Sequence, residues 1–339
     1  MKITIVDVAK KANVSVATVS RVINDNYPVN SKTKAKVQKV IKELNFIPNL
    51  QAREVKKRKT KTIGVIVPSV ENMFFPEVIN GIEQHLMQKS YSLLLSFSKN
   101  SEEKEQECVR NLLSRNVAGM IVADVNTTNV ESGFYDDLVQ STPIIFINGE
   151  SSREGFSHVL CDERDGANKA LQSLWDKGHR DIYFVRGGSS YSYDVKEQAY
   201  RDFLRLQDGE VNEHIVYVGE GNSNQVIDVT CKLMVEKIRQ EGCSAAFCCN
   251  DLMAIGVLNA CKEVGVSVPD EFSIIGFDNI ILSKLVEPKL TTIDQNMYEL
   301  GNQAAKLILE TIKEEQSISK KVVLNATFVP RETLAEKKG

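Results

Sequence analysis

Residues 4–24 read TIVDVAKKANVSVATVSRVIN, and this stretch decides the architecture of the head of the chain. Thr4 stands three residues before Asp7, a spacing at which its hydroxyl accepts from the backbone N–H of the first helical turn. Ile5, Val8, Ala9 and Ala12 then recur at helical spacing, so a first helix is expected over 4–12. Asn13-Val14 breaks the pattern, and Ser15 is placed to cap a second helix over 15–24. That helix turns Val16 or Val19, Val22 and Ile23 partly inward and presents Ala17, Thr18, Ser20, Arg21 and Asn24 elsewhere. A third helix is expected from Ser31 to Asn45, with Ala35, Val37 or Gln38, Ile41 and Leu44 inward. Lys32, Lys34, Lys36, Lys39 and Lys42 form its outer face. Two short helices joined by a tight turn, with a third completing a small core, make a helix-turn-helix module.

Charge separates this head from the rest. Residues 1–61 hold 15 Lys and Arg against 4 Asp and Glu, a net +11, and the remainder carries −14. The whole-chain net charge of −3 conceals that division. A basic head on an acidic body points to a polyanionic partner for the head. Three amphipathic helices could also be only a bundle with a solvated lysine face, but the charge block favours nucleic acid. The polar face of the second helix suits the major groove. Arg21 can donate to two guanine acceptors at once, and the small Val16 and Ala17 allow close approach to base edges. Between head and body, Pro48 ends the third helix, residues 49–55 have helical periodicity but are too short for a stable isolated helix, and Lys56-Lys57-Arg58-Lys59 follows.

From Thr62 the period changes. Apolar runs recur as IGVIVP, YSLLLSF, GMIVAD, IIFIN, HVLCD, IYFVRG, HIVYVG, AAFCC and FSIIGFD, with amphipathic segments between most of them. Near-continuous apolar strands alternating with helices indicate parallel sheets covered on both faces. This many strands exceeds one sheet, so two α/β subdomains are expected. Open parallel sheets bind ligands at their carboxyl ends, which draws attention to the residues after each run. These are Ser69 to Phe75, Asp124, Asn148, Asp162, Arg186 to Lys196, Asn222, Asn250-Asp251, Asp278 and Gln295. Short amides and carboxylates there suit a hydroxyl-rich guest, and Phe74 and Phe75 offer a flat apolar surface for the CH face of a sugar ring. Asp251 reads rather as the cap of a helix over Leu252–Val264, and on pattern alone Asn250 and Asp278 serve equally well as turn residues.

Catalysis finds no support. His85, His158, His179 and His214 fall in unrelated contexts, and neither G-x-S-x-G nor GxxxxGK[ST] occurs. No apolar run is long enough for a membrane span, and MKITIVDVAKK lacks the apolar core of a signal peptide, so a cytoplasmic protein is expected. Seven scattered Cys without zinc spacing read as reduced thiols, and neither metal nor cofactor is expected.

The words of the sequence are similar to those of the lactose-repressor (LacI/GalR) family of bacterial transcription regulators. The likeness begins in TIVDVAKKANVSVATVSRVIN and continues through VQKVIKELNFIPNLQARE, TIGVIVP, FFPEVINGIE, GHRDI, CNDLMAIGVL, VPDEFSIIGFDN, LTTIDQ and VPRET, covering essentially the whole chain. It implies an all-α helix-turn-helix head at 1–47, a hinge helix and basic linker at 48–61, and an α/β body. The body would hold two doubly wound parallel-sheet subdomains of periplasmic-binding-protein type, at 62–161 plus 293–320 and at 162–292 plus 321–339. The resemblance implies base contacts from Val16, Ala17 and Arg21, phosphate contacts near Thr18, Ser20 and Asn26, and Ser15 among the DNA-binding residues. It also implies a hinge helix with Ala52 and a minor-groove wedge at Val55, where the family usually has Leu. For the effector it implies Phe74, Phe75, Asn148, Asn250, Asp278 and Gln295, with Lys196 or Arg186 supplying a cation for a carboxylate. The implied function is a homodimeric repressor of a carbohydrate-catabolic operon on a pseudopalindromic operator. Its effector would be a sugar or a sugar acid such as 2-keto-3-deoxygluconate. A sugar receptor without regulatory role and an enzyme fused to a DNA-binding head are the alternatives. No leucine heptad follows Arg331, which favours a dimer over a tetramer.

Overall fold

The computed structural model describes residues 3–24, 27–46, 60–149, 155–188, 190–207, 212–240, 242–314 and 319–337. The chain divides into two compact units, Met1–Thr60 and Lys61–Gly339.

The first unit holds α1 (Ile5–Ala12), α2 (Val16–Asn24) and α3 (Ser31–Glu43). Thr4 and Asp7 form a reciprocal capping box, and the chain leaves α1 through Asn13 in the left-handed conformation. Ser15 starts α2: its Oγ accepts from the Thr18 N–H at 3.1 Å and its carbonyl from Val19. Asn30 caps α3 by accepting from the Lys32 N–H at 2.9 Å. Val8, Ala9, Ala12, Val19, Val22, Val37 and Val40 form the core of this unit, with Ile41, Leu44 and Phe46 packed against it. The inner stripe of α3 is therefore Val37, Val40, Ile41 and Leu44, the i, i+3, i+4, i+7 pattern of one helical face. Ala35 falls off that stripe and is exposed, which corrects its expected place inside, and of the alternatives Val37 and Gln38 it is Val37 that is buried. On α2, Val19 is the buried valine and Val16 is 41% exposed.

In the second unit the strands β1 (Thr62–Val67), β2 (Ser92–Phe97), β3 (Gly119–Ala123), β4 (Ile144–Ile147), β5 (Ser157–Cys161) and β11 (Lys321–Leu324) form one parallel sheet, in the order β11-β5-β4-β3-β1-β2. A second parallel sheet runs β7-β6-β8-β9, from β6 (Ile182–Arg186), β7 (His214–Tyr217), β8 (Ala245–Cys248) and β9 (Ser273–Ile275). β10 (Thr292–Asp294) and β12 (Thr327–Val329) pair antiparallel beside it, and β10 meets the segment after β9 through an Asp278–Asp294 bridge.

The helices are α4 (Phe74–Gln88), α5 (Glu102–Ser114), α6 (Thr127–Glu131), α7 (Asp136–Ser141), α8 (Glu163–Asp176), α9 (Tyr191–Arg205), α10 (Gln225–Arg239), α11 (Asp251–Val264) and α12 (Met297–Lys313). Strand alternation sends Ile63, Val65 and Val67 toward α4 and α12, and Ile66 toward Val109 and Leu112 of α5. Where α4 crosses α12, the two backbones approach too closely for side chains. A Cβ at Gly81 would lie 2.0 Å from the Tyr298 carbonyl oxygen, and one at Gly301 would lie 2.0 Å from that of Val78. Only glycine fits at either position. This crossing fixes α4, and with it Phe74 and Phe75 at its start.

The sequence division placed 321–339 with the second subdomain. Lys321–Leu324 instead pairs parallel with β5 in the first sheet. The chain leaves α12 on the face of that sheet, where the open edge of β5 offers backbone partners before the crossing to β12. Residues beyond β12 reach the second sheet, where the Ile274 N–H donates to the Thr333 carbonyl at 2.7 Å.

Candidate functional site

On the head, α2 presents Ala17 and Arg21 to solvent beside the exposed Val16. The Arg21 guanidinium lies 5.6 Å from the centre of the Tyr27 ring, which steers its fork. Ser15 and Thr18 are tied together, their hydroxyl oxygens 2.9 Å apart, and Ser20 is half-buried. The lysines of α3 are mostly exposed, and Lys11 pairs with Glu43 at 3.0 Å to join α1 to the end of α3. Asn26, Ala52 and Val55 lie outside the described residues.

In the body, one cleft collects side chains from the carboxyl ends of both parallel sheets. Phe74, Phe75, Asn148, Lys196, Asn250, Asp278 and Gln295 all line it. So do Asn72, Asp124, Ser190, Ser192, Tyr193, Asn222 and Cys249, of which Asn72, Ser190, Ser192 and Tyr193 fall only within broad stretches of the sequence reading and Cys249 has no place in it as a lining residue. The missed residues sit on α9 and in the loops, where no periodic signal separates a lining residue from its neighbours. Phe74 and Phe75 meet edge to face, with ring centres 5.2 Å apart. Asp124 and Asn148 follow β3 and β4 directly with φ of 52° and 51°, and Asp278 has φ of 113°.

Two buried lining oxygens, Asn148 Oδ1 and Gln295 Oε1, have no hydrogen-bond partner among the described residues. Most donors, in contrast, are engaged. Tyr193 Oη donates to Asn222 Oδ1 at 3.2 Å, and Asn222 Nδ2 donates to Asp124 Oδ2 at 3.3 Å. Ser190 Oγ donates to Asp124 Oδ1 at 3.1 Å, and Gln295 Nε2 donates to Asp278 Oδ1 at 2.6 Å. Several of these bonds join the two sheets' loops, as does Asn72 Nδ2 donating to Asn222 Oδ1 at 3.4 Å.

Lys196 is 1% exposed and donates to Glu163 at 3.0 Å and to Ser192 Oγ at 2.6 Å, with its ammonium 4.2 Å from the Phe277 ring centre. Burial works against its charge, but Glu163 and the surrounding negative groups outweigh burial and hold its pKa above the usual lysine value. Arg186, the alternative cation, does not line the cavity. It pairs with Asp194 at 2.8 Å and with Glu197, and donates to the Gly187 and Gly188 carbonyls. Burial pushes the Asp278 carboxyl well above the usual range, helped by the charges of Asp251 and Glu163 and opposed by Lys196. Burial likewise lifts Asp124 to about 6, against the hydrogen bond from Ser190.

The cap of α11 is Asn250, not Asp251. Asn250 Oδ1 accepts from the Met253 N–H at 2.9 Å while its Nδ2 donates to the Gly221 carbonyl at 2.9 Å, so one side chain both caps the helix and lines the cavity. Asp251 is the first helical residue. Its carboxylate accepts from the Ile280 N–H at 2.9 Å and from Thr292 Oγ1 at 2.5 Å, and burial raises its pKa to about 7. It thereby fixes the loop that carries Asp278.

Residues 4–49 match the bacterial regulatory proteins of the lacI family, and residues 171–334 match the periplasmic binding protein-like domain. Catabolite control protein A of Priestia megaterium is 35% identical over 318 residues, covering 93% of this chain and 94% of its own. The chain belongs to the lacI family. A lac repressor dimer bound to operator and the anti-inducer ONPF superimposes with a TM-score of 0.84 at 25% identity, covering 99% of this chain and 100% of that one. A LacI family regulator from Enterococcus faecium with bound ribose gives a TM-score of 0.70 at 26% identity, covering 82% of this chain and 100% of that one. As a lacI-family member this is a DNA-binding transcriptional repressor, not an enzyme, which answers to a small-molecule effector. Among the described residues no helix is long and apolar enough to cross a membrane, and no cluster of His, Cys, Asp and Glu could hold a metal ion.

Proposed function

We propose that this regulator represses a carbohydrate-catabolic operon and releases its operator when a hydroxyl-rich small molecule fills the cavity. The observation that carries this reading is the pair of unpartnered buried acceptors, Asn148 Oδ1 and Gln295 Oε1, on a wall that also holds Phe74 and Phe75. A buried acceptor without a donor costs about 1–3 kcal/mol, which a ligand hydroxyl would recover on binding. The aromatic pair offers an apolar face to the ring carbons of the same guest. Val16, Ala17 and Arg21 read bases in each half of a pseudopalindromic site, with Ser15, Thr18 and Ser20 near phosphates. Binding at one site then changes affinity at the other by the same factor in both directions.

The sugar-acid form of this reading, with 2-keto-3-deoxygluconate as the example, needs a cation for the carboxylate. Lys196 is already bonded to Glu163 and Ser192, which weighs against it. A thermal-shift screen of sugars and polyols against the full chain, followed by operator-binding assays, tests the function. A stabilising ligand should lower operator affinity, and Asp278→Ala should lose that response while still binding operator. A normal response in Asp278→Ala would remove Asp278 from the site and with it this use of the cavity.

A further inference from the structure

We propose that the effector carries a protonated amine beside its hydroxyls, placing it in the chemical class of amino sugars and amino polyols. The proposal rests on the cavity being the effector site and goes on to its charge. Acceptors are in surplus there. The side chains of Ser190, Ser192, Tyr193, Lys196, Asn222 and Gln295 donate to other protein groups. The unpartnered atoms are oxygens, Asn148 Oδ1 and Gln295 Oε1, both on side chains more than nine-tenths buried. The ionisable groups lean the same way. Asp124 and Asp278 line the cavity, Glu163 stands directly behind it, and Lys196, the one lining cation among the described residues, is held by Glu163. A ligand carboxylate would meet two acids and a cation already paired. An ammonium would bring three donors and a positive charge to a wall of acceptors, with the Phe74 and Phe75 rings close by.

Asp278 adds a second signature. Burial shifts its carboxyl toward the protonated form. A cation placed against it favours the ionised carboxylate, so binding should shift that balance and release protons to solvent.

The test uses the full chain at about pH 6.5 with matched sets that differ in one group: D-glucosamine, D-glucose and D-glucuronate, and the corresponding galactose set. An amine should bind at least about tenfold more tightly than its neutral parent, and the uronate should not bind. Calorimetry in two buffers of different ionisation enthalpy should show proton release with the amine and none with the neutral sugar. Asp278→Asn should erase the preference for the amine. The calorimetric readout on the unsubstituted chain stands even if that variant folds poorly. Equal or tighter binding of a neutral sugar or uronate, or no binding of either amine, overturns the amine assignment. The effector-site reading falls on a different result, namely a ligand whose effect on operator binding survives Asp278→Ala.

Discussion

The reading face of the head and the wall of the cavity are built in opposite ways. On α2, Val16, Ala17 and Arg21 point away from the core that Val19 and Val22 help to form, so function and stability occupy different sides of one helix. In the cavity they occupy the same atoms. Asn250 caps α11 and lines the site, and Lys196 lines the site and neutralises a buried Glu163. A head of this kind can change what it reads at little cost to folding, whereas a change in the cavity also alters the fold.

That contrast is sharpest at Lys196. Lys196→Met should leave Glu163 buried without its cation and destabilise the body by about 3–5 kcal/mol in urea unfolding. Adding Glu163→Gln should recover much of the loss; if the double variant is as unstable as the single one, the pair does not carry this role. The next effect is one of pH. Asp251 titrates at about 7 in the folded chain, above its unfolded value of about 3.9. A raised carboxyl contributes stability that is complete below the unfolded value and is lost as pH rises through the folded one. Body stability should therefore fall between about pH 4 and 7 by up to about 1.4 kcal/mol per pH unit from this group. Asp251→Asn should flatten the slope, and an unchanged slope would assign it elsewhere.

The head should respond on a smaller scale and without coupling to the body. Arg21→Ala should relax base preference by about 1–3 kcal/mol at one base pair while the melting temperature stays the same. Equal weakening on operator and random DNA would leave Arg21 a phosphate contact only. Ser15→Ala should cost the head about 1 kcal/mol through the lost cap on α2, and body unfolding should not move.

Legibility follows the same division. The head's helices were visible because a single stripe of apolar residues specifies each one, and the error at Ala35 came from reading that stripe one position off. The nine apolar runs of the body all became strands, β1 to β9. β10, β11 and β12 gave no such signal, since TID, KVVL and TFV are short and lie partly at edges, where hydrophobicity is not required. Residues after the strand ends were identifiable because parallel sheets place their ligands there. Ser192 and Tyr193 were harder to single out, as they enter the cavity from one face of α9 and only the packing of that helix decides which face that is. The exchange of roles between Asn250 and Asp251 had no sequence signature, because either residue type can cap a helix.

The left-handed backbone at Asp124, Asn148 and Asp278 limits what this cavity can become. Positive φ is tolerated readily by Gly, Asn and Asp and poorly by larger or branched residues. Descendants of this regulator that acquire a new effector therefore have a small alphabet at these three positions. The easy step at each is the exchange of amide and carboxylate, which keeps the shape and switches the charge. Diversification at these positions should thus proceed through the ligand's ionic state, while changes in ligand size are left to the aromatic wall and α9.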